Sequence, residues 1–484
     1  MQPTLILLCF VIYTTLIFVI SRITSRKSNN ETYFLGNRAS PWYIVAYGMI
    51  GASLSGVTFM SVPGLVGDEG FSYMVLVLGY VLGYVVIAFI LLPLYYKLNL
   101  TSIYTYLDNR FGMSSYKTGS FYFIISRLIG SSFRMFLVVH VLQLFVFDRW
   151  GVPFAATVGV FMLLILLYTY KGGIKTIVWT DTLQTTFMLT AVIITIILIS
   201  SEMGKGIPEL VGSIKAEGYT KMFVMDIRDP RFFIKQFLAG MFITITMTGL
   251  DQDMMQKNLS CRKLSDAQKN MITFGGILIF VNLMFLFLGG VLYTYAGDVG
   301  LGIPDNTDDL FPAIAIQYLG IAAGITFLFG LISAAYSSAD GTLTALTTAF
   351  CIDFLGLKRK PGISENRIKN TRYLVHTIFA FLMFAIIVGY RAINDVALIS
   401  QLFTIAGYTY GPLLGLFTFG LFSKREVSDR FVPVICILSP VVCYILSAFS
   451  EQLFWGYRFG FELLLLNGAL TFLGLMVISK RAEI

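Results

Sequence analysis

The stretch Ser333-Ala334-Ala335-Tyr336-Ser337-Ser338-Ala339-Asp340-Gly341-Thr342 lies inside one long apolar run, 310–352. On a helix, Ala334 and the Ser337/Ser338 pair sit one turn apart and share a face. The Ala334 carbonyl and the two hydroxyls would offer three hard oxygens to one cation. The plainer reading is that such serines bond back to their own helix. Asp340 beside them changes the balance, because a carboxylate at membrane depth marks a functional position by default. A second polar interruption occupies the run at 41–66, where Gly48, Gly51, Ser53, Ser55, Gly56 and Thr58 precede Pro63 and Gly64. A helix weakened there exposes carbonyl oxygens, which suit a hard cation such as sodium. The hydroxyls of Ser53, Ser55 and Thr58 suit a polar solute. Two carbonyls from this break would bring the cation's oxygens to about five. A small-residue packing face is the competing explanation.

A third interruption follows in the run from 232, with Gly240, Thr244, Thr246, Thr248 and Gly249 ahead of Asp251, Gln252 and Asp253. It is the fifth run after the first interruption. That spacing is expected of an inverted repeat of five helices plus five, with the site at the midplane between two broken helices. Other embedded ionisable groups are few. Asp181 follows Trp179-Thr180, and Arg127 and Arg134 stand seven residues apart on one face of the fourth run. Each arginine needs either an internal aspartate or an anionic substrate. His140 and His376 read as hydrogen-bonded packing residues.

These positions need a membrane to hold them. The 484 residues are 56% hydrophobic and 13% charged, with mean hydropathy +0.78. A soluble globular chain carries roughly twice that charged fraction, and a disordered chain has far less apolar content. Runs of spanning length occur at about 3–22, 41–66, 71–96, 118–147, 152–170, 177–200, 232–256, 270–296, 310–352, 371–390, 395–421, 430–450 and 456–478, thirteen in all. The first reads as a retained helix, because no small-residue cleavage site follows it. The run at 310–352 exceeds one crossing and must tilt, break or project.

With the N-terminus outside, roughly 24 of the 35 Lys and Arg fall on inner segments. They include Arg22, Arg26, Lys27, Arg38, Lys257, Arg262, Lys263, Lys358, Arg359, Lys360 and Arg372. The net charge of +8 is therefore assigned to cytoplasmic anchoring and not to nucleic acid. Five scattered cysteines (Cys9, Cys261, Cys351, Cys436, Cys443) imply neither a disulfide framework nor a metal cluster. The N-x-S/T triplets at Asn30, Asn99 and Asn258 fall on the inner side and are read as chance.

The segments TYFLGNR (32–38), SLSGVTFMSVPG (53–64), YKGGIKTIVWTDTLQ (170–184), GLDQDMMQKNLSCRKLSDAQKN (249–270), SAAYSSADGTLTALTTAF (333–350) and AGYTYGPLLGLFTFGLF (406–422) resemble the sodium:solute symporter family. The resemblance implies an all-α polytopic membrane protein of LeuT-type fold, with one extra helix before the repeats and about 13 transmembrane helices. It implies a sodium site on the carbonyls of Gly51, Leu54 and Ala334 and the hydroxyls of Ser337 and Ser338. Some members add a second cation site, using the aspartate of the WTD motif and a hydroxyl pair just after the two serines. Asp181 matches, whereas Asp340 and Gly341 replace the hydroxyls, so Asp181 and Asp340 form a candidate second cation site. Substrate contacts are expected from Ser53, Ser55, Thr58, Gln401 and Thr404. Arg134 lies near the position of the arginine that holds the carboxylate in sialic acid members.

The expectation is thus a sodium-coupled secondary active transporter, working by alternating access, with sodium as coupling ion and no other cofactor. An anionic or carboxylated solute is favoured over a sugar or other neutral one. The expected layout is an N-terminal helix and loop (1–30), a ten-helix core (31–421) and two C-terminal helices (422–484). The chain is placed in a bacterial inner membrane, N-terminus outside and C-terminus cytoplasmic, in contact with lipid and as a monomer. A membrane enzyme has no H-E-x-x-H or comparable motif behind it. A sensor module is disfavoured because the chain stops at Ile484, just past the last run.

Overall fold

The structure is a computed structural model that describes residues 3–26, 28–357, 359, 362–391 and 398–481. Lys27, Lys358 and Lys360, counted above among the inner cations, lie outside the described residues. Helix α1 (Pro3–Thr24) is followed by a bent pair, α2 (Trp42–Ser53) and α3 (Gly56–Gly64). Four long helices follow: α4 (Tyr73–Lys97), α5 (Met113–Leu142), α6 (Phe154–Gly172) and α7 (Ile174–Met203). A second bent pair, α8 (Phe233–Gly249) and α9 (Gln252–Leu259), opens the second half. It continues with α10 (Leu264–Asp298), α11 (Gly320–Phe354), α12 (Glu365–Tyr390) and α13 (Leu398–Phe422). Helices α14 (Asp429–Ala448) and α15 (Leu463–Val477) end the bundle.

Among the described residues ten helices are long and apolar enough to span, or twelve when each bent pair is one span. The thirteenth expected run forms α15, only 15 residues long. At 1.5 Å per residue it reaches about 22 Å, short of the ~30 Å hydrocarbon core. The overlong run at 310–352 breaks: short helical turns over 310–318 end at Gly320, whose φ of +77° is open to glycine without strain, and α11 starts there.

Helix α11 is the axis of the molecule. Every residue from 330 to 349 is buried, because α2, α3, α5, α7, α9 and α12 surround it. A helix buried all round has no lipid face, which is why its polar residues carry no penalty of exposure to hydrocarbon. Helix α14 is the opposite case, with Val434, Ile437, Leu438, Val441 and Tyr444 exposed on the outside of the bundle.

Helices α4 and α8 approach through glycine. A Cβ on Gly79 would stand 2.1 Å from the Phe237 carbonyl, and one on Gly240 would stand 2.1 Å from that of Leu76. With Gly83 four residues on, this is the small-residue contact that lets membrane helices touch backbone to backbone. Gly79→Ala must push the helices apart, an overpacking cost of about 1–3 kcal/mol. The expected result is a lower thermal midpoint in detergent, measured against an alanine substitution at Gly297, where nothing stands within 4 Å.

Outside the spans, the turn Thr307–Asp309 rests on the end of α3, with the Thr307 carbonyl 2.6 Å from where a Gly64 Cβ would be. Asp308 there is 2% exposed, and burial pushes its carboxyl up to about 6. The Ser61 hydroxyl offsets part of this and Asp309 adds to it. A raised carboxyl favours the folded state while protonated. Its contribution is full below the unfolded value near 4 and is lost as pH climbs towards 6. Asp308→Asn should therefore stabilise the protein by about 2–3 kcal/mol above pH 7 and not at pH 4, a difference that thermal unfolding at the two pH values would read.

Candidate functional site

The first break falls at Leu54 and Ser55, where the axes of α2 and α3 diverge by 58°. The cause is local. Thr185 of α7 takes the Gly51 N–H at 2.9 Å and donates to the Asp181 and Tyr47 carbonyls, at 2.8 and 3.1 Å. A hydroxyl inserted into the ladder loosens a helix. A Cβ at Gly51 would lie 2.3 Å from that hydroxyl, so only glycine admits it. The Leu54 N–H returns to Ile50 and the Ser55 N–H to Ser53. The carbonyls of Gly51, Ala52 and Leu54 then take no backbone N–H among the described residues. These are the free oxygens that a broken helix supplies.

Ala334, Ser337 and Ser338 lie on α11, which packs on both α2 and α3. The Ser337 and Ser338 hydroxyls both donate to the Ala334 carbonyl, at 3.2 and 2.7 Å. Ser131 of α5 donates to the Ser338 carbonyl. The three oxygens are thus gathered at one point, and the back-bonding weighed from the sequence is present as well. Each hydroxyl keeps its lone pairs for a cation.

A cavity of about 80 Å³ opens beside the break. Ser53, Ser55, Thr58 and Arg134 line it, together with Tyr73, Tyr80 and Phe403. It therefore gathers four of the expected substrate residues. Thr404 is exposed and its neighbour Phe403 faces the cavity instead. Gln401 lies in α13, and its side chain is outside the described residues.

The second break, of 64° between α8 and α9, carries a buried ionic network. Asp251 caps α9, accepting the Met254 N–H at 3.2 Å and the Tyr410 hydroxyl at 2.6 Å. Tyr95 and Tyr104 donate to the freed carbonyls of Gly249 and Leu250. Arg127 of α5 pairs with Asp253, and its Nε lies 3.5 Å from Asp251. Lys257 lies 2.9 Å from Asp181 and 3.5 Å from Asp253. Asp340 receives the Tyr168 hydroxyl at 2.7 Å, the Gln184 amide at 3.1 Å and the Gly341 N–H.

This settles the two arginines differently. Arg127 is neutralised by protein. Arg134 makes no ion pair among the described residues, and its Nε is buried with no hydrogen-bond partner. It also corrects the place of Lys257. Counted above as an inner loop anchor, it is 1% exposed, because α9 turns its polar residues inward onto Asp181 and Asp253. Arg372, counted likewise, is 3% exposed and lies over the Tyr33 ring at 4.0 Å. Tyr168, Gln184 and Tyr410 join the network without any local sequence pattern that marks them. The i,i+4 spacing of Asp253 and Lys257 was the one visible signal.

His376 is a packing residue, held by Tyr33, Thr169 and Thr347 at 3.1, 2.8 and 2.9 Å. His140 stacks on Phe136. All five cysteines are free and buried.

Two broken helices around a polar central cavity form a bundle of the LeuT-type five-plus-five inverted-repeat fold, an architecture of membrane transporters. The chain belongs to the sodium:solute symporter family, whose model matches residues 33–429. It is 23% identical over 453 residues to a sodium/sialic acid symporter of Aliivibrio fischeri, covering 92% of this chain and 88% of that one. It is 24% identical over 404 residues to the mouse sodium-coupled monocarboxylate transporter 1, covering 82% of this chain and 64% of that one. A solved outward-open sodium-coupled sialic acid symporter superposes with a TM-score of 0.85 at 19% identity, covering 98% of this chain and 99% of that one.

Proposed function

We propose that this protein imports a small anionic or carboxylated solute together with sodium by alternating access. The observation that carries the choice of solute is Arg134. It lines the central cavity together with Ser53, Ser55 and Thr58, and makes no ion pair with an acidic side chain among the described residues. A buried charge without a partner is costly. A bound carboxylate offers it a bidentate, charge-assisted pair. The sodium ligands on this reading are the Gly51, Leu54 and Ala334 carbonyls and the Ser337 and Ser338 hydroxyls. Such an ion bridges α2 and α11, so its occupancy favours the state in which those helices stay together.

The core of the transporter is 31–421, preceded by one helix and followed by two, in a bacterial inner membrane with the N-terminus outside and the C-terminus cytoplasmic. The relatives' names support the choice of solute, one being a sodium/sialic acid symporter and the other a sodium-coupled monocarboxylate transporter.

The test is a thermal-shift screen of purified protein, with and without sodium, against sialic acids, monocarboxylates, amino acids and sugars. Stabilisation by one acidic class, present only in sodium, is the expected result. Stabilisation by neutral sugars alone, or equally in potassium, overturns the assignment.

A further inference from the structure

The carboxylate of Asp181 on α7 faces a single charged partner among the described residues, the Lys257 ammonium at 2.9 Å. Neither of its oxygens accepts a hydrogen bond from any other group described. Lys257 reaches this point from α9, the half-helix beyond the second break, and Asp253 steadies it at 3.5 Å. The wall opposite is Gly341 of α11. A Cβ there would lie 2.6 Å from the Asp253 Oδ1 and 3.0 Å from the Lys257 Nζ. Glycine is therefore what admits the ammonium, and a serine or threonine at 341 would press on the Lys–Asp pair. Asp340 is near enough to attract the lysine but makes no ion pair with it among the described residues. Its oxygens are taken by Tyr168, Gln184 and the Gly341 N–H.

We propose that Lys257 is a tethered cation: its ammonium occupies the place at Asp181 where a second sodium would bind, so that each chain binds one sodium. Two unit charges of the same sign close together in a buried site repel strongly. A sodium within reach of Asp181 would have to displace the ammonium or share its pocket. The inference rests on the sodium-symport reading above and adds a consequence to it. One sodium carried with one monoanion moves no net charge, so the membrane potential does not drive uptake and only the sodium gradient does.

The experiment is equilibrium binding of radioactive sodium ion to the purified full-length protein. The wild type is expected to bind one ion per chain with a Hill coefficient of 1. Lys257→Met, which leaves Asp181 without its counter-ion, should bind two. The double variant Lys257→Met/Asp181→Asn should return to one, and Lys257→Arg should stay at one. Two ions on the wild type, or one on a well-folded Lys257→Met, overturns the tethered-cation inference and leaves symport standing. No sodium bound to the wild type overturns symport itself. Should Lys257→Met fail to fold, the wild-type count and the Lys257→Arg variant still decide the matter.

Discussion

Replacing Ser337 and Ser338 together with alanine is expected to raise the sodium concentration needed for half-maximal activation by roughly 100-fold. The figure takes about 1.5 kcal/mol for each hydroxyl lost to a charged partner. Neither hydroxyl is needed to hold the helix. Both bond within their own turn, to the Ala334 carbonyl at 3.2 and 2.7 Å, and α11 is clamped on every side by its neighbours. The double variant should therefore fold, and its loss should be confined to the ion. Sodium-dependent uptake of the stabilising solute into proteoliposomes, titrated with sodium at fixed ionic strength, measures it. A double variant with an unchanged sodium curve would sink the assignment of these hydroxyls. The single Ser338→Ala variant should fall between the two, since one oxygen of the proposed five is removed.

What could be read in advance, and what could not, follows from the range of the interactions. The two breaks were legible because a helix break is local. Glycines and hydroxyls concentrated at 48–58 and 240–249 weaken a backbone wherever it is placed; the 58° bend falls within the first stretch and the 64° bend directly after the second, between Gly249 and Gln252. Length alone leaves 310–352 open between tilting, breaking and projecting, because it says only that one crossing is exceeded; the structure divides it at Gly320. Charge counting misplaces Lys257 because it assigns each lysine by its distance from an apolar run. Helix α9 is polar, yet it is buried by α2, α7 and α11 packed around it. Its partner Asp181 lies on another helix of the opposite repeat, and no local pattern joins them. The same holds for Tyr168 and Gln184 on Asp340. The identity of the donors depends on how α6, α7 and α11 meet, not on the sequence near Asp340.

The larger effect on the solute should come from Arg134, and the contrast with Arg127 makes the experiment decisive. The two lie two turns apart on α5, are both arginines and both border the cavity. Arg127 is tied to Asp253 and approaches Asp251 at 3.5 Å. Truncating it strands buried carboxylates, a loss of about 3–5 kcal/mol in folding stability. Arg127→Gln is therefore expected to show mainly as lower yield and a lower thermal midpoint. Arg134 has no acid to strand, so Arg134→Gln should fold as well as the wild type or better. It should lose solute affinity instead, by about 100- to 1,000-fold if a bidentate charge pair of roughly 3–4 kcal/mol is removed. Arg134→Lys keeps the charge but not the fork, and should recover only part of the affinity. Sodium binding should be unchanged in both Arg134 variants, since no hydrogen bond joins that side chain to a proposed sodium ligand among the described residues. Isothermal titration of each variant with the solute found by thermal shift, and with sodium alone, separates these outcomes. An Arg134→Gln protein that still binds an acidic solute at wild-type affinity would mean that the anion is held elsewhere, or that the true solute is neutral.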